Sequence, residues 1–311
     1  MNAVLGTRVG VMQAPVGGAT GPELYRAVAA AGGLPTVPAS WTALDLIRET
    51  IAGLRADGHT TFAVNLVLDF EQAERVALCA AERVPIVTFS WGDPAPYLPA
   101  LHAAGCRVFA QVATRAAGEA AVAAGVDALI AQGSEAGGHV ESTTALAVLV
   151  AALARATPLP VIAAGGIADA ATADAARAAG AAAIAAGTRF VASEESTALP
   201  AYKELLVAAG AADTVLTGVF DIGWPDAPHR VLRNSTYRAW EAAGSPAPGA
   251  RPGEGDVLGT YAGDPILRYS VESPGPLVET EQPEALCLYA GQGVELIDAV
   301  LPAARIVELL A

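Results

Sequence analysis

Ala121-Val122-Ala123-Ala124-Gly125-Val126-Asp127-Ala128-Leu129-Ile130-Ala131-Gln132, followed by Gly133-Ser134-Glu135-Ala136-Gly137-Gly138-His139, holds one structural unit and the loop that ends it. An alanine-rich stretch stops at a glycine, as a helix does when its next residue must turn left-handed. An apolar run follows, and then a glycine-rich octet that delivers one imidazole. The helix–glycine–strand unit recurs along the chain. Strands are expected at 8–14, 34–38, 61–67, 84–90, 106–112, 126–132, 160–164 and 181–186. Helices are expected near 21–31, 41–57, 70–82, 95–104, 114–124, 143–155 and 169–179. Most strands are apolar nearly throughout instead of alternating, as parallel strands covered on both faces are. Asp69, Thr114 and Asp169 stand where helix N-caps belong, and Gly58, Gly105, Gly125 and Gly180 where helices end. The pattern predicts an α/β fold, a TIM-like (β/α)8 barrel.

The alternation stops near residue 194. We expect 1–194 to be the barrel and 195–285 an inserted cap or lid, with a helix near 198–209 among loops rich in proline and glycine. Residues 286–311 would return to the barrel, with a helical stretch over Val294–Leu310 broken near Pro302.

At 311 residues the chain can bury a large core without dividing. Its hydrophobic fraction of 53% is high, and the excess is largely alanine. No apolar run approaches the roughly 18 residues that a membrane span needs. The first residues lead straight into a strand and lack a signal-peptide core. Cys79, Cys106 and Cys287 are far apart, which argues against a metal site or disulfide framework. A cytoplasmic protein is the expectation. A net charge of −14 leaves no basic stripe for nucleic acid.

In such a barrel the chemistry lies at the C-terminal ends of the strands. Gln13-Ala14-Pro15 ends the first, Asn65 the third, Gln111 the fifth and Gln132 the sixth. Gly165-Gly166-Ile167 follows the seventh, and Gly187-Thr188 follows Ala186 at the eighth. Carboxamides offer donor and acceptor without charge, which suits a heteroaromatic ring. The glycine turns suit a phosphate, helped by the helix N-terminus at 168–170. Each residue has a plainer reading as well: a tight turn, or a side chain that satisfies its loop. Of four histidines, His59 and His102 read as surface residues, and His229 belongs to the cap, from which the pocket is within reach. His139 alone combines a strand end with a glycine cradle, the setting of a general base. Glu135 reads as an acceptor that orients the loop.

Taken together, these residues resemble the nitronate monooxygenase family. The resemblance runs through Gln13-Ala14-Pro15, Val64-Asn65-Leu66, the octet 132–139, Ala163 to Ile167 and Gly187 to Phe190. It continues through Arg230 to Thr236 and Tyr289-Ala290-Gly291-Gln292-Gly293. It implies a TIM-like barrel with FMN held non-covalently at the strand ends. Cofactor contacts would come from Gln13, Ala14, Pro15, Asn65, Gln111, Gln132, Gly137, Gly138, Gly165, Gly166, Ala186, Gly187, Thr188 and Gln292. His139 would be the catalytic base, with no metal. The reaction implied takes alkyl nitronates, or nitroalkanes, with O2 to carbonyl compounds and nitrite. Its partners would be a small-molecule substrate and O2, with no nucleic acid or membrane, and a homodimer is allowed for. Two positions depart from the pattern: Phe89-Ser90-Trp91-Gly92-Asp93 after the fourth strand, and Gln111 where some relatives carry lysine. Two alternatives stay open, an FMN-dependent NAD(P)H oxidoreductase on the same barrel and a phosphate-binding barrel without turnover.

Overall fold

The computed structural model describes residues 1–311. Its first half is a regular alternation: β1 (Val11–Gln13), α1 (Pro22–Ala30), β2 (Thr36–Pro38), α2 (Leu44–Ala56), β3 (Ala63–Val67), α3 (Ala73–Ala81) and β4 (Ile86–Ser90). It runs on through α4 (Leu98–Ala103), β5 (Arg107–Val112), α5 (Arg115–Ala124), β6 (Ala128–Gln132), the two-residue β7 (Gly138–His139) and α6 (Leu146–Ala156). The last units are β8 (Val161–Ala164), α7 (Ala170–Ala178), β9 (Ala183–Ala186) and the short α8 (Thr188–Val191). Eight parallel strands form one sheet in the order β1-β9-β8-β6-β5-β4-β3-β2. A parallel bridge between Met12 and Leu34 closes it into the expected barrel, with Gln13 N donating to the Leu34 carbonyl at 2.9 Å.

Strand parity divides the apolar residues into two cores. Met12, Ala63, Ile86, Phe109, Ala128, Ile162 and Ala183 fill the barrel. Their neighbours on the other face, such as Val11, Val64, Val87, Val108 and Leu129, join the larger core beneath the helices. Both faces are therefore dry, which is why the strands read as unbroken apolar runs. Thr114 caps α5 by accepting from Ala117 N, and Gly125 ends that helix at φ 100°. Asp69, expected to cap α3, does not do so. That helix starts at Ala73 with Gln72 at the cap position, and Asp69 accepts instead from the Trp224 indole.

Beyond the barrel lie α9 (Pro200–Ala208), β10 (Thr214–Thr217), β11 (His229–Leu232), α10 (Ser235–Ala242), β12 (Val257–Tyr261), β13 (Asp264–Leu267) and β14 (Val278–Glu279). This region is more ordered than its proline-rich sequence suggests. β12, β13 and β14 form an antiparallel sheet, and β10-β11-β7 form another. That second sheet takes in the end of the octet, because β11 pairs with β7 at His229–His139 and Arg230–Gly138. The expected helix over 294–310 is corrected. A 3-10 turn covers Gln292–Leu296, an irregular stretch follows, and Pro302 becomes the N-cap of α11 (Ala303–Leu310). Proline fits there because its missing N–H is not needed at a helix start.

Candidate active site

A cavity of about 1060 Å³ opens at the C-terminal ends of the barrel strands. It is roughly as large as the upper end of small-molecule pockets. Inward parity carries Asn65 and Thr88, then Gln111 and Gln132, to the layer above the barrel core. Ala14, Pro15, Asn65, Gln111, Gln132, Gly137, Gly138, His139, Gly165, Gly166, Ala186, Gly187 and Thr188 all border the cavity.

Two expected residues lie outside it. Gln13 stands one position out of parity with inward-facing Met12, so its side chain is buried at the closing seam, where its Oε1 accepts from Thr36 N at 3.1 Å. A one-residue step along a strand reverses the face. Gln292 turns its side chain to solvent and serves through its main chain, donating to the Glu135 carbonyl at 2.9 Å. Its neighbours Gly291 and Gly293 border the cavity in its place.

The helix N-terminus expected to assist a phosphate is already occupied. Asp169 caps α7 by accepting from Thr172 N, while Ala168 N and Asp169 N both donate to Thr172 Oγ1. The open main chain is instead at Gly165 and Gly166, held at φ 128° and 68°, and at Gly187, which caps α8 with no side-chain bond. Gly137 has a different reason from the one its sequence suggests. A Cβ there would lie 2.4 Å from Gly291 N, so the glycine admits a neighbouring backbone and not a ligand. Gly293 packs on Gly166 in the same way, with an added Cβ 2.4 Å from the Gly166 carbonyl oxygen. The segment 291–293 is therefore the floor beneath both glycine turns. Thr188 Oγ1 ties it down by accepting from Gly291 N.

His139 is fixed from several sides. Gln132 donates from Nε2 to the His139 carbonyl at 3.0 Å and accepts from Glu141 N at 3.3 Å. Arg230 donates through Nε and Nη2 to the Ser134 carbonyl at 3.2 and 2.9 Å, bracing the octet from β11. Glu135 accepts from Leu146 N with both carboxylate oxygens and so caps α6. His229 does not border the cavity. It is buried behind His139 with ring centroids 5.3 Å apart. Its Nδ1 meets the Ala227 carbonyl and its Nε2 meets Phe220 N, a pairing that requires the neutral Nδ1–H form. Burial and the nearby His229 push the His139 pKa down to about 3, so its imidazole is neutral at pH 7.

Three aromatic residues surround His139 that the sequence motifs do not single out as its neighbours. Trp224 lies 4.0 Å away between ring centroids, Tyr289 5.5 Å and Trp91 6.3 Å. Tyr289 opens the 289–293 motif and Trp91 stands at a strand end, where it sits in the left-handed region at φ 58°. Trp224 reaches the site from the loop between β10 and β11, far away in sequence. The expected surface roles of His59 and His102 hold; His102 pairs with Asp127 at 3.1 Å on the outside.

Two buried polar atoms in this region have no protein partner, Gln111 Nε2 and His139 Nε2. Asn65 uses Nδ2 on Thr88 and leaves its carbonyl oxygen for the cavity. Donor, acceptor and neutral base above the left-handed turn at Gly165–Gly166 and the open main chain at Gly187 fit a planar heteroaromatic cofactor with a phosphate tail.

A TIM-like barrel with this constellation at its strand ends defines an oxidoreductase of the flavin-dependent barrel class. The profile of the nitronate monooxygenase family matches residues 64–311, and the chain belongs to that family. It is 32% identical to the nitronate monooxygenase of Pseudomonas aeruginosa, over 69% of this chain and 75% of that one. It is 34% identical to a Mycobacterium tuberculosis 5-hydroxy-7a-methyl-1-oxo-octahydro-1H-indene-4-carboxyl-CoA dehydrogenase, over 78% of this chain and 68% of that one. Among solved structures, FabK from Thermotoga maritima is similar at a TM-score of 0.79 and 33% identity, covering 99% of this chain and 93% of that one. Nitroalkane oxidase from Streptomyces ansochromogenes is similar at 0.76 and 28%, covering 98% and 95%. No helix is long and apolar enough to cross a membrane.

Proposed function

We propose that this enzyme is an FMN-dependent nitronate monooxygenase that converts alkyl nitronates and O2 to carbonyl compounds and nitrite. The observation that carries this reading is His139, a neutral imidazole fixed at the end of the octet in the cavity that the unpartnered Gln111 amide also borders. Bound in the cavity, FMN would supply the redox chemistry between substrate carbon and O2. Gly165, Gly166, Gly187 and Thr188 would hold its phosphate through main-chain N–H groups, and Asn65, Gln111 and Gln132 would meet its ring system or ribityl chain. Residues 195–285 act as the cap over this site, and 286–311 return to the barrel to floor it. Three free and buried cysteines suit a reducing cytoplasm.

The depressed pKa of His139 bears on the substrate. A base this weak takes a carbon-bound proton poorly, because the best catalytic base titrates near the working pH. A nitronate arrives without that proton. Its negative charge raises the imidazole pKa, so His139 can hold the anion through a ring N–H. We therefore expect turnover of propyl nitronate to exceed that of 1-nitropropane at the same pH. Nitrite and oxygen electrodes test this directly: nitrite release with O2 uptake on the nitronate supports the reading, and a nitronate that yields no nitrite contradicts it.

A second reading is favoured by the likeness to FabK and to the dehydrogenase, namely NAD(P)H-dependent reduction on the same barrel. The two differ in the electron donor.

A further inference from the structure

Trp224 lies on His139 with ring planes 31° apart. His139 Nε2, buried and without a partner, belongs to that covered imidazole. A buried nitrogen of this kind is expected to meet a ligand atom during function, and the indole is the ring packed nearest to it. Trp224 is carried by the cap, and its Nε1–H donates to the Asp69 carboxylate of the barrel at 2.7 Å, a charge-assisted bond that ties the two parts together. The loop bearing it has left-handed backbone on both sides, at Gly223 (φ 106°) and Asp226 (φ 59°). Around the indole stand Trp91, Phe70 and Trp41, with ring centroids 5.0, 5.2 and 6.0 Å away.

The cavity beyond this cluster opens through an apolar rim. Trp41 and Leu46 come from the barrel side, Tyr261 and Leu277 from the cap. These four are among the ten large hydrophobic residues that the chain leaves exposed. Such a concentration at one mouth marks a surface that receives apolar groups. The carboxamides lie at the strand ends, and these four exposed apolar side chains stand toward the mouth beside the charged Arg26 and Glu49, so a ligand with a planar polar head and an apolar tail would match the line from strand ends to these four residues.

We propose that Trp224 is a gate latched by Asp69, occupying the subsite of the substrate's apolar substituent, and that the enzyme selects long-chain or aryl substrates able to displace it. The proposal rests on reading this cavity as the substrate site. A short substituent leaves the indole on His139. A longer one exchanges its own apolar surface for that of the indole, and its end lies along Trp41, Leu46 and Leu277. Opening imposes its cost only on ligands long enough to displace the indole, so loosening the latch raises their affinities and leaves those of short ligands unchanged.

Primary amides test this without oxidation, since they present a planar head with no electrons to give. Their binding to the protein as purified is measured by calorimetry for acetamide, butanamide, hexanamide, octanamide and phenylacetamide. In the wild type, affinity should rise about twofold to fourfold per added methylene beyond butanamide. Asp69→Ala and Trp224→Phe each remove the latch while leaving the barrel intact. Both should tighten octanamide and phenylacetamide by about threefold to tenfold and leave acetamide unchanged. Octanamide should also increase acrylamide quenching of wild-type indole fluorescence, and do so less in Trp224→Phe, which keeps Trp41 and Trp91. Equal affinity for acetamide and octanamide in the wild type overturns the proposal. So do unchanged or weaker octanamide affinities in both variants at an unchanged melting temperature, or an equal gain for acetamide. Should either variant not fold, the wild-type quenching decides: no change with octanamide refutes the gate. Amide binding is independent of nitronate turnover, so failure of one leaves the other standing.

Discussion

At the scale of single residues, the site separates side chains that serve the protein from those that face a ligand. Gln132 spends both ends of its amide on the octet, whereas Gln111 leaves Nε2 buried and unpaired. This gives Gln111→Leu two opposite effects. Without cofactor the variant should be as stable as the wild type or slightly more so, because an unsatisfied buried donor is removed. Its FMN affinity should fall by about fivefold to tenfold, one hydrogen bond's worth. Urea melts of the apoprotein and flavin titration measure the two separately, and equal FMN affinity would return Gln111 to a structural role. His139→Asn should keep fold and flavin. Turnover of the pre-formed nitronate should fall by about tenfold to a hundredfold, the worth of one hydrogen bond to a charged group, and the slower turnover of the neutral nitroalkane by no more than that. A much larger loss on the neutral form would contradict this and make His139 the base that removes its proton. That comparison requires a neutral nitroalkane that the wild type turns over measurably.

At the scale of elements, the glycine turns depend on a segment far away in sequence. An alanine at 293 would place its Cβ 2.4 Å from the Gly166 carbonyl, backbone against backbone with no side chain to yield. Gly293→Ala should therefore shift the 165–166 turn and lose flavin on desalting. Gly138→Ala meets no atom within 4 Å and suffers only from its φ of 80°, a penalty of about 1–2 kcal/mol. Flavin retention after gel filtration ranks the two, and greater loss from Gly138→Ala would contradict this account of the floor. The barrel elements were legible in the sequence because each strand is apolar on both faces and several helices carry their own caps. The seam at Gln13 was not, because strand-end position reveals nothing of parity. Gly137 looked like a ligand glycine because a backbone neighbour and a ligand make the same demand for a missing Cβ. Trp224 was hidden for another reason: it arrives from a cap loop whose contact with Asp69 spans 155 positions, and no local pattern encodes that.

At the scale of the whole molecule, two neutral imidazoles couple cap and barrel through β7 and β11. Burial is the main cause of both depressed pKa values, at about 3 for His139 and below the ordinary value for His229. In the unfolded chain both titrate near about 6.5. Below that pH the unfolded chain binds protons that the folded one refuses. Stability should therefore fall as pH drops from about 6.5 toward 3, by up to about 1.4 kcal/mol per unit for His139. Above about 6.5 neither group contributes a pH dependence. Urea unfolding at pH 7.5, 6.5 and 5.5 reads the slope, which should be shallower in His139→Asn; a wild type equally stable at all three would refute the buried neutral pair. The central claim concerns the electron donor, and it is tested most directly by anaerobic titration of the purified protein under visible absorbance. The account predicts a yellow protein whose flavin band bleaches on adding propyl nitronate and stays unchanged with NADH or NADPH. Rapid bleaching by a nicotinamide, with none by the nitronate, would contradict it and place the enzyme with the reductases of the same barrel.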